Sequence, residues 1–470
     1  MDWKEFRQHG RDAADWASEY HLGLRDRPVR AQTKPGAIID QLPASPPDQA
    51  EPIEAILKDL DTTIMPGMTH WQHPRFFAYF PANAAPVSVL AETYVNAIAA
   101  QCMLWQTSPA ATELETRVCD WMRQAVGLPD GFLGVIQDSA STATLCAVLS
   151  MRERALNWAG NRAGLSGQPR LRVYASAEVH TSIDRAIWIS GIGEDNLVRI
   201  PTAGPQRAMQ PDALRAAIAA DRAKGYLPAG IIACVGGTSA GATDLLTEVM
   251  TVAEEENLYV HVDAAWAGAA MICPELQPLW QGVERADSVV LNPHKWLGAQ
   301  FDCTTHFLKN PETLVKTLAI QPEYLKTHGA DGIINYSEWS VPLGRRFRAL
   351  KLWFLLRAHG LDGLRGMIRD HVAWSEAMAD RLAATPGFEI VTPPMLSLFT
   401  FRYAPEGATD LDALNQRLLN RINDDGRIYL TQTRIDGDLV LRLQVGAFTC
   451  TEDDVRFAYD VIAELTKGID

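Results

Sequence analysis

The sequence predicts an α/β protein, with a large domain built on a mostly parallel sheet and a smaller α+β domain after it. Three observations lead there. From Gly131 onward, short apolar runs alternate with helical patterns, as in a parallel sheet covered on both faces. The notable polar residues of that region fall at the carboxyl ends of the apolar runs, where ligands of such sheets bind. A chain of 470 residues, 47% hydrophobic and 21% charged, has room for two or three structural units and a large core.

Residues 1–84 read as a helical arm. Trp3 to about Tyr20 is one helix candidate. Pro43, Pro46, Pro47 and Pro52 mark a linker, and Ile53, Ile56, Leu57 and Leu60 space out a second amphipathic helix. Neither helix can bury its face alone, so the arm is expected to pack on another surface, that of a second subunit. Trp71 to Pro81 is dense in aromatics, the composition of a core or interface patch. Ser108-Pro109 predicts a helix start, with Ser108 as N-cap. Leu114, Val118, Trp121, Met122 and Ala125 keep one apolar face, and Gly127 ends it.

The large domain is expected over 85–352, with strands at 133–137, 171–175, 231–235, 258–262, 288–291 and 303–308. Helices are expected after Asp138, through Arg154, and from His180-Thr181-Ser182. Residues 321–339 are polar, with glycines at 329 and 332, and read as a long loop of the kind usually kept for function. A strong helix follows at 349–359. The small domain, 353–470, alternates helices (374–383, 411–423, 452–465) with strands (397–402, 439–445).

The strand ends carry the chemistry. The run 288–291 stops at Asn292-Pro293, and His294, Lys295 and Trp296 follow at once. A lysine between an imidazole and an indole at a buried strand end can lose solvation, drop its pKa and form a Schiff base with an aldehyde. Taken alone it is ordinarily a surface lysine. Asp263 ends another apolar strand, where a carboxylate is costly unless paired, for instance with a protonated ring nitrogen. Ser139, Ala140 and Ser141 open a helix, so their backbone N–H groups can approach an anion; alone they mark a helix start. His180 can lie flat on a ligand or be a structural histidine. A lysine for an aldehyde, an aspartate for a pyridinium and hydroxyls for one phosphate are the needs of pyridoxal phosphate.

Other classes are poorly supported. There is no GxGxxG or GxxxxGK[ST] loop. Net charge is −14 without a long basic run, which disfavours nucleic acid. The seven cysteines form no CxxC pair, so no metal site is expected and a reducing compartment fits. No run of 18 apolar residues suggests a membrane span, and the cytoplasm is the expected location.

The motifs HPRFFAYFP (73–81), SPAATELE (108–115), QDSASTATL (137–145), HVDAAWAG (261–268), NPHKW (292–296), PEYLK (322–326) and PLGRRFRALKLWF (342–354) stand in one order across nearly the whole chain. In them the chain resembles the pyridoxal-phosphate-dependent group II decarboxylases, of the aromatic-L-amino-acid decarboxylase type. The resemblance implies fold type I, the aspartate aminotransferase-like fold, and a homodimer with shared active sites. It implies that Lys295 bonds the cofactor aldehyde, Asp263 pairs with the ring nitrogen and His180 stacks on the ring. Ser139, Ala140, Asn292 and His294 match phosphate-site positions; Thr238 and Ala265 match other cofactor positions. Trp71, Tyr79, Phe80, Pro81, Met103 and Gly344 match the substrate side, and Tyr324 matches the tyrosine that protonates the product carbon. The implied reaction is decarboxylation of an aromatic L-amino acid, with tryptophan favoured because Gly344 and Met103 leave room for an indole. Aldehyde synthesis on the same scaffold, or a catalytically silent protein that only binds pyridoxal phosphate, is the alternative. Asp138, where many relatives have Gly, Ala82 and Met103 depart from the pattern; Asp138 is expected to cap the helix.

Overall fold

The structure, a computed structural model, describes residues 1–320 and 332–469. It divides into two compact units, Ala82–Val372 and Met1–Pro81 together with Ala373–Asp470.

The larger unit holds a seven-stranded sheet: β1 (Leu133–Gln137), β2 (Leu171–Ser176), β3 (Leu197–Ile200), β4 (Leu227–Cys234), β5 (Tyr259–Asp263), β6 (Ser288–Leu291) and β7 (Thr304–Leu308), in the spatial order β1-β7-β6-β5-β4-β2-β3. The pairs β2–β3, β2–β4, β4–β5 and β5–β6 are parallel. β7 is the exception, antiparallel to both β6 and β1. β5, β6 and β7 are buried along their whole length, and their sequences do not alternate apolar with exposed polar residues; the polar side chains they carry, among them His261, Ser288, Thr304 and His306, are buried too. β3 gives no such signal, since Leu-Val-Arg-Ile is short and partly exposed.

The helix Ala140–Ala155 buries Ala147, Val148 and Met151 in a cluster with Val173, Ile183, Ile187 and Ile232. Each large apolar side chain in it contributes about 1.5–3 kcal/mol. A buried ion pair supports β1 from behind. Glu115 accepts the Ile136 N–H (2.8 Å) and pairs with Arg345, which also donates to the Ile136 carbonyl over 3.0 Å. At the helix Pro109–Ala125, Ser108 stands at the N-cap position but its side chain does not cap. Its hydroxyl donates to the Gln101 carbonyl over 3.0 Å, and Pro109, which has no N–H, lessens the need. The long helix Ala349–Ala383 is two helices across a break at Gly360 (φ 62°, ψ 170°).

The other unit carries an antiparallel sheet of β8 (Phe388–Met395), β9 (Leu398–Tyr403), β10 (Thr431–Ile435) and β11 (Asp438–Gln444), in the order β8-β9-β11-β10. Phe399, Phe401, Leu441 and Leu443 meet Leu418, Ile422, Val461 and Ile462 in its core. The helix Trp3–Leu22 belongs to this unit. A capping box of Asp2 and Glu5 starts it, and none of its residues is buried.

Candidate active site

The carboxyl ends of β1, β2, β4, β5 and β6 open on one cavity of about 280 Å³. That is close to the lower end of the roughly 300–1,000 Å³ typical of small-molecule sites. A parallel sheet brings these ends together because its strands all finish at the same edge, so residues distant in sequence become neighbours.

One wall is the start of the helix Ala140–Ala155, formed by Ser139, Ala140 and Ser141. Ser139 is the N-cap, and its Oγ accepts the Thr142 N–H over 3.2 Å. Asp138, expected to cap, does not. Its carboxylate instead accepts the Ser139 hydroxyl over 3.1 Å. Small side chains leave the first N–H groups of the helix open to an anion, which the helix dipole favours.

Two imidazoles face the cavity as neutral donors. Nδ1 of His294 accepts the Cys303 N–H over 3.0 Å, so the ring proton sits on Nε2. Burial, with Lys295 beside it, pushes this histidine down to about 3. Nδ1 of His180 accepts the Ser182 N–H over 3.1 Å, and again Nε2 carries the proton. Burial lowers His180; the Asp263 carboxylate opposes that shift and Lys295 adds to it. Asn292 accepts the Thr304 hydroxyl on its Oδ1 (2.8 Å), leaving Nδ2 as a donor.

Asp263 ends β5, 8% exposed, with Oδ1 accepting the Ala265 N–H over 3.0 Å. Lys295 follows β6, the parallel neighbour of β5. Its backbone N–H donates to the Asn292 carbonyl over 3.0 Å, and Asn83 donates to its carbonyl over 2.7 Å. Between β4 and Thr243 the chain turns back, carrying Gly236, Gly237 and Thr238 to the cavity wall. Gly236 has φ +79°, and the Trp266 indole N–H donates to its carbonyl over 2.6 Å. Trp266 packs on Trp296 with ring centres 5.4 Å apart, and Trp296 donates to Nδ1 of His371 over 2.9 Å.

Ser139, Ala140, His180, Thr238, Asp263, Ala265, Asn292, His294 and Lys295 all line this cavity. Met103 and Gly344 lie in the same unit but not among its lining residues. A Cβ at Gly344 would meet the end of the Gln101 side chain at 3.2 Å. Trp71, Tyr79, Phe80 and Pro81 belong to the other unit. There Trp71 stacks on Tyr79 (5.7 Å), Tyr79 meets Tyr429 edge-on, and the Arg442 guanidinium lies 5.4 Å from the Phe80 ring centre. Tyr324 lies outside the described residues. Sequence reasoning misses Ser182, Cys234, Gly236 and Trp266 on the cavity wall, and Asn83 and His371 behind it. Ser182 two residues after His180, and the Gly236-Gly237 pair, are signals that could have found part of this set.

The donor set suits one phosphate on an aromatic aldehyde. N–H groups of a helix start, two Nε2–H groups and an amide face the cavity, with a carboxylate for a cationic ring nitrogen and an amine for the aldehyde. The comparisons agree. Residues 35–404 match the pyridoxal-dependent decarboxylase conserved domain. The chain is 37% identical to an aromatic-L-amino-acid decarboxylase of Catharanthus roseus, over 100% of this chain and 95% of that one. It is 36% identical to a phenylacetaldehyde synthase of Arabidopsis thaliana, over 99% and 96%. The crystal structure of Oryza sativa TDC with PLP and tryptamine matches with a TM-score of 0.96 at 35% identity, over 100% of this chain and 99% of that one. A lysine and an aspartate on neighbouring strand ends, within a match that spans most of the chain, show that it belongs to the pyridoxal-dependent decarboxylase family, as a carboxy-lyase of fold type I that uses pyridoxal phosphate.

Proposed function

We propose that this chain removes the α-carboxylate of an aromatic L-amino acid as carbon dioxide and releases the aromatic amine. Tryptophan is the favoured substrate; tyrosine, phenylalanine and dihydroxyphenylalanine are further ones. The observation that carries the reaction is the placement of Lys295 and Asp263 at adjacent parallel strand ends, on one cavity with a helix start. Pyridoxal phosphate, when bound, supplies an aldehyde for amine capture and a ring that accepts the electron pair released with carbon dioxide. Lys295 is the residue that bonds it. Asp263 keeps a proton on the ring nitrogen, and His180 supplies a neutral imidazole beside the ring. Ser139, Ala140, Asn292 and His294 would hold the phosphate, and Thr238 and Ala265 would help to hold the rest of the cofactor. Tyr324 delivers the proton to the substrate Cα as general acid.

Tryptophan is favoured because Gly344 carries no side chain and Met103 is a flexible thioether that adapts to an indole. The likeness to the rice structure with tryptamine supports this choice. Pocket size alone supplies about 1–3 kcal/mol of discrimination. Trp71, Tyr79, Phe80 and Pro81 complete the substrate side in this reading.

The active form is a homodimer. The helix Trp3–Leu22 buries none of its residues and leaves Trp3 77% exposed, and Leu90, Tyr94 and Ile98 form an exposed stripe on the helix Pro86–Ile98. Residues 1–84 act as the arm onto the second subunit. The seven buried thiols fit a reducing compartment, and the cytoplasm is the proposed location. Among the described residues no helix is long and apolar enough to cross a membrane.

The test is a panel of L-amino acids with amine, carbon dioxide and peroxide measured, alongside borohydride reduction and mapping of the labelled lysine. Label on Lys295 and amine from tryptophan without peroxide are expected. Aldehyde with peroxide would favour the synthase reading instead, which the likeness to the Arabidopsis relative keeps in view. Absence of both label and product would leave a silent scaffold. Gly344→Ser should lower the tryptophan-to-tyrosine ratio of kcat/KM; an unchanged or higher ratio sinks the steric argument.

A further inference from the structure

We propose that Asp138 works against the cofactor's phosphate: it holds the proton of the Ser139 hydroxyl, sets a second anion at the same helix start, and so lowers the chain's affinity for pyridoxal phosphate. The inference rests on the reading that Ser139 and Ala140, with Asn292 and His294, receive that phosphate.

Ser139 lines the cavity, and its Oγ already accepts the Thr142 N–H over 3.2 Å. A hydroxyl has a single proton, and a carboxylate can only accept. In the 3.1 Å contact between Ser139 Oγ and Asp138 Oδ1, Ser139 is therefore the donor. The Thr142 hydroxyl lies at 3.3 Å and is the remaining neighbour. With its proton on Asp138 and a lone pair on Thr142, Ser139 lines the cavity without a proton to give a phosphate oxygen.

Charge acts in the same sense. The Asp138 carboxylate lies one hydrogen bond from the cavity wall, at the positive end of a 16-residue helix. Two anions drawn to one helix start repel each other, more strongly where water is scarce. Arg348 lies within electrostatic range of Asp138, but its guanidinium is engaged by Asp302, with Nε donating over 2.8 Å and Nη2 over 3.3 Å. It is shared between two carboxylates and does not cancel Asp138 alone.

The test uses the full chain, stripped of cofactor with hydroxylamine and titrated with pyridoxal phosphate or with pyridoxal, which lacks the phosphate. Quenching of tryptophan emission reports binding, since Trp266 lines the cavity. Asp138→Asn should tighten pyridoxal phosphate about tenfold and leave pyridoxal unchanged. Asp138→Gly, with no side chain, should do the same. Ser139→Ala should change affinity less than about twofold alone, but weaken it about fivefold in the Asp138→Asn background, where the hydroxyl is released. Unchanged or weaker affinity in both Asp138 variants would overturn the proposal, as would equal tightening of pyridoxal. If borohydride does not fix the cofactor on Lys295 in the parent chain, the reading of the site fails instead. With Lys295 labelled and affinities unmoved, only the role of Asp138 fails.

Discussion

The side-chain amide of Asn83 donates to the carbonyl of Lys295 over 2.7 Å, while the Asn83 backbone N–H donates to the carbonyl of His294 over 3.1 Å. One buried residue thus grips two consecutive carbonyls and fixes the backbone that carries the Lys295 side chain. Asn83→Asp keeps the shape but turns the donor into an acceptor that faces a carbonyl. It is expected to cut kcat/KM by about 10- to 100-fold, the penalty of slight misplacement in an active site. Steady-state rates together with borohydride labelling of Lys295 check this; full activity would show that the grip is dispensable.

The indole of Trp296 is held from the other side. It donates to Nδ1 of His371, and the two rings lie parallel within 4°. His371→Leu leaves a buried indole N–H without its acceptor, and a loss of about 1–3 kcal/mol in urea unfolding is expected. His371→Asn keeps an acceptor and should recover part of the loss. Equal unfolding midpoints for all three proteins would contradict this.

Gly236 tolerates no side chain. At φ +79°, a Cβ would come 2.5 Å from the Ala267 Cβ and 2.8 Å from the Trp266 indole nitrogen. Gly236→Ala should destabilise the fold by about 1–3 kcal/mol and weaken cofactor binding, because the turn that carries Thr238 must shift. Thermal melts with and without added pyridoxal phosphate measure both effects.

Acid should unfold the larger unit through its histidines. Burial holds His294, His306 and His371 each down to about 3. Below the ordinary histidine value of about 6.5 the unfolded chain takes up protons that the fold refuses. The contribution of these groups is therefore complete above pH 6.5 and is lost progressively as pH falls toward 3. His306 is the clearest case, because neither of its buried ring nitrogens has a hydrogen-bond partner. His306→Leu should raise stability by about 1–3 kcal/mol near pH 7, and by more at pH 5. A destabilised variant at both pH values would mean that the ring makes a contact of value.

Local signals made most of the cavity wall legible. Strands buried on both faces are mostly apolar, so the valines of β5 and β6 announce them, and the polar residues at and beyond their carboxyl ends fall at the same sheet edge. Direction is another matter: nothing in Thr304–Leu308 says that β7 runs opposite to its neighbours. Asn83 and His371 were hidden for a different reason. Each touches the Lys295 segment from far along the chain, and a single amide or imidazole carries no periodic signal. Ser108 misled because a hydroxyl beside a helix has other acceptors within reach, here the Gln101 carbonyl. The substrate-side residues Met103 and Gly344 are not on the cavity wall, so their role rests on resemblance and on the proposed second subunit.

The reversed strand bears on how the enzyme is made. β1 is the first strand of its sheet to be synthesised and β7 the last, yet β1 lies at the sheet edge with β7 as its neighbour. The helix that begins beyond Ser139 packs on residues made before Thr304, among them Val173, Ile183, Ile187 and Ile232, but β1, to which it is joined, has no strand neighbour until Thr304–Leu308 exist. The loop bearing Lys295, strung between β6 and β7, is closed by the same docking event. A nascent chain halted before Thr304 would carry His180 and Asp263 on paired strands, with β1 unpaired and the loop bearing Lys295 open at its far end. Completion of the cavity wall is in this way tied to the last strand of the sheet to be made.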